Sequence, residues 1–253
     1  MDIKISTNFV PEKISYTTST RNSEQHSLPL SIALHLLPGI LIGTVFFLLA
    51  PIAQRSGLPP VWAHGLADLF VLVPFVFGLL YYVGYKRNGR LSLDGVVLYR
   101  EPIPRWQYLI FVPLLLAPVN NAIFQELFSW WPAMYNLSPD LSVYSRSTLI
   151  ATLIFQFLII ALIVPITEEI YFRGCLLPRL ARFGFWAAPL HAILFALFHV
   201  WTPWLVVART VGLIPFTLIV QRKRNIYMAI IMHIIINALD LTTGVMLLLS
   251  WSR

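Results

Sequence analysis

Residues 148 to 164 read TLIATLIFQFLIIALIV, an uncharged run that leads straight into PITEEIYFRGCLL, where Glu168, Glu169 and Arg173 follow in quick succession. A stretch that is apolar on every side has to be buried in a large core or cross a bilayer. Each charge carried toward the centre of a bilayer costs at least about 2.5 to 3.5 kcal/mol on insertion scales, so ionisable residues persist there because something needs them.

The rest of the chain decides between core and bilayer. Of its 253 residues, 58% are hydrophobic and only 11% are charged, whereas about a quarter of the residues in soluble domains are charged. Apolar stretches close to the roughly 20 residues that a membrane helix needs recur along it. They predict an all-α, polytopic transmembrane bundle of about seven to eight membrane helices, with spans at about 29 to 53, 62 to 85, 107 to 125, 147 to 172, 185 to 200, 203 to 220 and 226 to 249. Pro203 and the short connection around it leave open one broken hairpin in place of the fifth and sixth. Residues 1 to 27 are polar and lack an apolar signal core, so they read as a flexible tail. Residues 28 to 253 read as a single membrane domain without internal repeats. Cys175 is the only cysteine, which excludes an intrachain disulfide and a multi-cysteine metal site.

The net charge of +7 would suggest nucleic acid in a soluble protein. Here the basic residues sit in alternate loops: Lys86, Arg87, Arg90, Arg100 and Arg105 between the second and third spans, Arg179 and Arg182 after the fourth, and Arg222, Lys223 and Arg224 after the sixth. That distribution is a topogenic signal. It places the N-terminus in the cytoplasm of a multi-pass protein, most simply in the plasma membrane, with the lipid bilayer and not nucleic acid as its surroundings.

Three polar clusters fall in the later spans. Glu169 and Arg173 are four apart in the favoured acid-before-base order, while Glu168 is turned roughly 100° away and left for other work. FALFH places Phe195 and His199 at the end of an apolar helix, and HIIIN places His233 and Asn237 on one helix face. Counted from their inner helix ends, Glu168, His199 and His233 lie roughly 16, 21 and 10 Å deep, which permits one shared site. A carboxylate can take a proton from water, an imidazole can hold that water, and His and Asn donors can stabilise an oxyanion. Rival machineries lack parts: there is no HExxH and no GxSxG, and from residue 151 onward the serines are Ser250 and Ser252. Glu168, His199 and His233 could instead form an open three-ligand zinc site, although no close ligand pair nucleates it. The simplest expectation is no cofactor.

These motifs, EExxxR, FxxxH and HxxxN in that order, resemble the CPBP family of CaaX-protease and bacteriocin-processing intramembrane enzymes, also called Abi, whose eukaryotic branch includes the type II CaaX prenyl endopeptidase. Gly174 and Leu176 extend the first motif, and the resemblance covers about residues 147 to 245. It implies that Glu168 and His199 activate water, that His233 and Asn237 form an oxyanion hole, and that Glu169, Arg173 and Phe195 are structural or orient substrate. The substrate it implies is a membrane-delivered protein or peptide, prenylated at its C-terminus in the eukaryotic branch. Many relatives carry a Gly-rich helix between the second and third motifs, where this chain has Gly212, Pro215 and the turn QRKRN at 221 to 225.

Other readings use the same residues differently. The clusters could only hold helices together, the site could bind a peptide or bacteriocin without cutting it, as an immunity protein does, or a proton relay could run through it. Outside the clusters, His64 and Asp68 are placed to pair, Asp240 to end a helix or line a cavity near Asn237, and His191 to pack between helices. Asn225 reads as an N-cap, and Trp106, Trp130, Trp131, Trp201, Trp204 and Trp251 as an interfacial belt.

Overall fold

The computed structural model describes residues 24–101, 135, 137 and 140–250. Among them it is all-α. Helix α1 spans Leu28–Arg55 and α2 spans Val61–Asn88. Helix α3 covers residues 146–176 and passes through a 3-10 stretch, Leu177–Trp186, into α4, Ala187–Phe198. Helix α5 is Val206–Lys223, α6 is Ile226–Leu239 and α7 is Thr242–Ser250. Among the described residues five stretches are long and apolar enough to cross a membrane: α1, α2, the run Arg146–Phe198, Pro203–Lys223 and Ile226–Ser250. The span expected at 107 to 125 and the tryptophans 106, 130, 131 and 251 lie outside the described residues.

Two expected spans differ from the structure. The fifth, expected at 185 to 200, is a helix of only 12 residues. At 1.5 Å per residue it covers about 18 Å, too little for a hydrocarbon core of about 30 Å. Gly184, at φ 56° and ψ −125°, breaks the chain before it, and a non-helical His199 ends it. Helices α4 and α5 therefore form the broken hairpin around Pro203, packed along each other. The last span is likewise two helices, because α6 stops at Leu239 and the chain turns at Asp240 before α7.

Three prolines shape the long helices. Residues 68–72, 156–163 and 169–176 are wound as wide π turns, and each stretch ends two residues before a proline: Pro74, Pro165 and Pro178. The residue just after each stretch donates five residues back, Val73 to Asp68, Val164 to Ile159 and Leu177 to Phe172. Proline has no N–H, and its ring clashes with the carbonyl four residues earlier, so the ladder slips by one residue ahead of it.

Small residues let the helices close. Ser31, His35, Gly39 and Gly43 line one buried face of α1 at four-residue spacing. His35 donates from Nδ1 to the Ser31 carbonyl at 2.7 Å, which leaves Nε2 to accept from His191 Nδ1 of α4 at 3.0 Å. His191 is thus the packing histidine expected, with a partner supplied by a distant helix. A Cβ on Gly39 would run into the Phe198 carbonyl, the residue before His199. Gly39→Ala is therefore expected to cost about 1–3 kcal/mol by overpacking and to displace His199. Thermal unfolding together with turnover checks this, and an unchanged value of both would show that α1 and α4 can part without consequence.

The 89–101 loop packs beneath α3. Its Leu98 donates to the Gly174 carbonyl at 2.8 Å, and a Cβ at Gly174 would collide with Val97. An isolated antiparallel bridge, Arg100 to Asn225, then ties the loop to the α5–α6 turn. Asn225 caps α6 by accepting from the Met228 amide. In the exposed part of the loop, the Ser92 hydroxyl, with Arg100 and Arg90 beside it, holds the Asp94 carboxyl below its usual range. Just ahead of α1, Gln25 and His26 bond to the backbone of Pro178, Arg179 and Arg182.

Candidate active site

Glu168 ends a short α turn in α3, and Glu169 opens the π stretch that follows. Both carboxylates are buried, at 3% and 0% exposure. They diverge as the helix rotates. Glu169 turns inward, where Arg173 Nη1 donates to its Oε1. Arg173 is itself fully buried, with its guanidinium over the rings of Phe195 at 4.4 Å and Phe216 at 4.6 Å. Its Nε and Nη2 have no hydrogen-bond partner among the described residues, so these two ring faces are what it meets there.

Helix α6 brings in His233 and Asn237, one turn apart on one face. His233 Nδ1 donates to Glu169 Oε1 at 2.8 Å, and its Nε2 lies 3.9 Å from Glu168 Oε2. Arg173, Glu169 and His233 thus form a chain that fixes the imidazole between the two glutamates. Asn237 Nδ2 donates to the Ile160 carbonyl at 2.9 Å. In the five-residue register of that turn this carbonyl faces Pro165, which has no N–H, so the side chain supplies the missing donor.

His199 comes from the end of α4. Its Nδ1 donates to the Phe195 carbonyl at 2.8 Å, leaving Nε2 as the acceptor of the neutral ring. Phe195, Phe198 and Trp201 pack against it at centroid distances of 4.9, 4.8 and 5.3 Å. The FxxxH spacing has a double use here: Phe195 holds the histidine through its carbonyl and covers Arg173 with its ring.

Glu168, His199, His233 and Asn237 all line one cavity of about 440 Å³ enclosed by α2, α3, α4, α5 and α6. Arg173 and Phe195 also reach its wall, whereas Glu169 sits behind it. The arrangement can hold a water molecule near a carboxylate and a neutral imidazole, with an amide and a second imidazole facing them. His64 pairs with Asp68 at 3.2 Å, as their spacing predicts, and additionally reaches the cavity. Asp240 caps the end of α6 and lines it too. Among the described residues no three His, Cys, Asp or Glu side chains are grouped to hold a metal ion.

The belt reading of Trp201 and Trp204 is corrected. Both are buried, at 3% and 8% exposure, and Trp201 packs against His64 with its ring tilted 59° at a centroid distance of 4.7 Å and faces the cavity. They follow the end of α4 in sequence, but α4 is too short to reach the far interface, so its end lies within the protein. Arg209 was not anticipated. It stands on the cavity wall from the first turn of α5, and the rule that drew attention to Glu168, a charge inside an apolar run, applies equally to it.

A protein-family model described as Rce1-like, Type II CAAX prenyl endopeptidase Rce1-like, matches residues 150–239. That segment carries Glu168, Glu169, Arg173, His199, His233 and Asn237. No curated protein and no solved structure matches the chain.

Proposed function

We propose that this chain, whose residues 150–239 match the Rce1-like family model, is an intramembrane endopeptidase that hydrolyses a peptide bond near the C-terminus of a membrane-delivered protein or peptide. A prenylated tail is the substrate type that the family description suggests. The observation that supports the reading best is the meeting of Glu168, His199, His233 and Asn237 on one cavity among apolar helices.

In this reading Glu168 takes a proton from a water molecule that His199 Nε2 holds, and the resulting hydroxide attacks the scissile carbonyl. The proton then passes to the leaving amine, so two product termini form without a covalent intermediate. Asn237 has one N–H engaged by Ile160 and a second left for the oxyanion. His233 spends Nδ1 on Glu169, so it donates to the oxyanion from Nε2 only when the ring carries both protons. Glu169 and Arg173 hold that ring in place. The alternation of basic loops supports a cytoplasmic N-terminus, and in this reading the substrate enters from the cytoplasmic side.

Water activated by side chains alone needs no metal. Turnover by the purified chain is therefore expected to persist after exhaustive chelation and dialysis. Loss of turnover that zinc restores would replace this mechanism with a metal-assisted one.

A further inference from the structure

Two arginines reach the cavity wall, and among the described residues only one is in an ion pair; Glu168 and Asp240 act on the other through space without contacting it. Arg173 has Glu169. Arg209 donates from Nη1 to the Thr202 hydroxyl at 3.0 Å, and among the described residues no carboxylate comes within 4.0 Å of it. Its place on the helix makes this costly. Arg209 lies in the first turn of α5, where the positive end of the helix dipole opposes a cation, and no acidic residue shares that turn. It also sits inside an apolar membrane segment, where a guanidinium is retained for a purpose.

Its surroundings leave room for a ligand. Arg209, Gly212 and Phe216 stand on one face of α5 and line the cavity together, so the position next to the guanidinium on that face has no side chain. Glu168 and Asp240, the acidic groups of the cavity wall, belong to α3 and to the end of α6. A planar guanidinium in a secluded site is matched to a carboxylate, which it takes through two parallel N–H donors. A cavity of about 440 Å³ is of small-ligand size and takes a short piece of chain, not a long extended segment. For a piece that enters by its C-terminus, the anionic group it always brings is its terminal carboxylate.

We infer that Arg209 forms a carboxylate subsite that receives the C-terminal carboxylate of the substrate and so sets the scissile bond a short distance from the chain end. The inference rests on the proteolytic reading above for its meaning, but binding tests it separately. The probe is a short S-farnesylated C-terminal peptide in three forms: the free acid, the C-terminal amide, and the amide with glutamate as its last residue.

In nanodiscs, the full chain carrying Glu168→Gln is expected to bind the free acid at least about tenfold more tightly than the amide, as a charge-assisted pair in a secluded site should allow. Adding Arg209→Gln should make the two bind alike, and Arg209→Lys, which keeps the charge without the fork, should restore part of the preference. Recovery of tight binding by the glutamate-ended amide would mean that a side-chain carboxylate also satisfies the subsite; its failure would tie the site to the chain terminus. In the active chain Arg209→Gln should raise KM for the free acid while leaving kcat nearly unchanged. Equal binding of acid and amide by the Arg209 protein, binding of neither, or a preference that survives Arg209→Gln would each overturn the inference. If the acid is preferred through Arg209 yet the unsubstituted chain cuts no peptide, the carboxylate subsite stands and the proteolytic reading falls.

Discussion

Glu168→Gln is expected to abolish proteolysis, with kcat falling by about 10²- to 10⁴-fold, the range that a positioned general base contributes. The folded protein should survive the change. The nearest partner of the carboxylate among the described residues is His233 Nε2 at 3.9 Å, beyond hydrogen-bond reach, and glutamine keeps the shape. Turnover of a quenched peptide, run beside thermal unfolding, reads both quantities. Undiminished turnover would remove the water-activation mechanism. The same variant separates an enzyme from a peptide-binding immunity protein, since a protein that only sequesters its peptide would keep its protective effect.

Glu169→Gln is expected to act on stability first. It leaves Arg173 charged and fully buried between Phe195 and Phe216, and removing one partner of a buried ion pair costs about 3–5 kcal/mol. For a chain of this size that corresponds to a fall in Tm of roughly 6–20 °C. The glutamine carbonyl can still accept from His233 Nδ1, so the loss in kcat should be smaller than for Glu168→Gln. Replacing both partners, Glu169→Gln with Arg173→Met, should recover part of the stability, because no unpaired charge remains. A normal melting curve with dead catalysis in Glu169→Gln would reverse the division of labour between the two glutamates.

Much of the candidate site could be read along the chain because its parts are local. Glu169 with Arg173, and His233 with Asn237, are four residues apart, and a helix puts such pairs on one face whatever surrounds it. The position of His199 at the end of an apolar stretch was legible for the same reason. The prolines were equally visible, yet their consequence was not. The shift to π turns depends on a carbonyl finding another donor, and for Ile160 that donor is Asn237, from a helix 77 residues away in sequence.

What the chain determined alone, then, was its solvent and its chemical inventory. Apolar runs with few charges require a bilayer, and the spacing of Glu168, Glu169, Arg173, His199, His233 and Asn237 names the groups that such a bilayer would not hold idly. Packing decided which of them meet. It set Glu169 behind the cavity and Glu168 on its wall, gave His35 to His191, buried Trp201 and Trp204, and left Arg209 facing the cavity. The reason is that hydropathy records the cost of leaving water, which each residue pays by itself, while a shared cavity depends on crossing angles and helix lengths set by side chains far apart in sequence. The short α4, closed against α1 where Gly39 meets Phe198, is the clearest case.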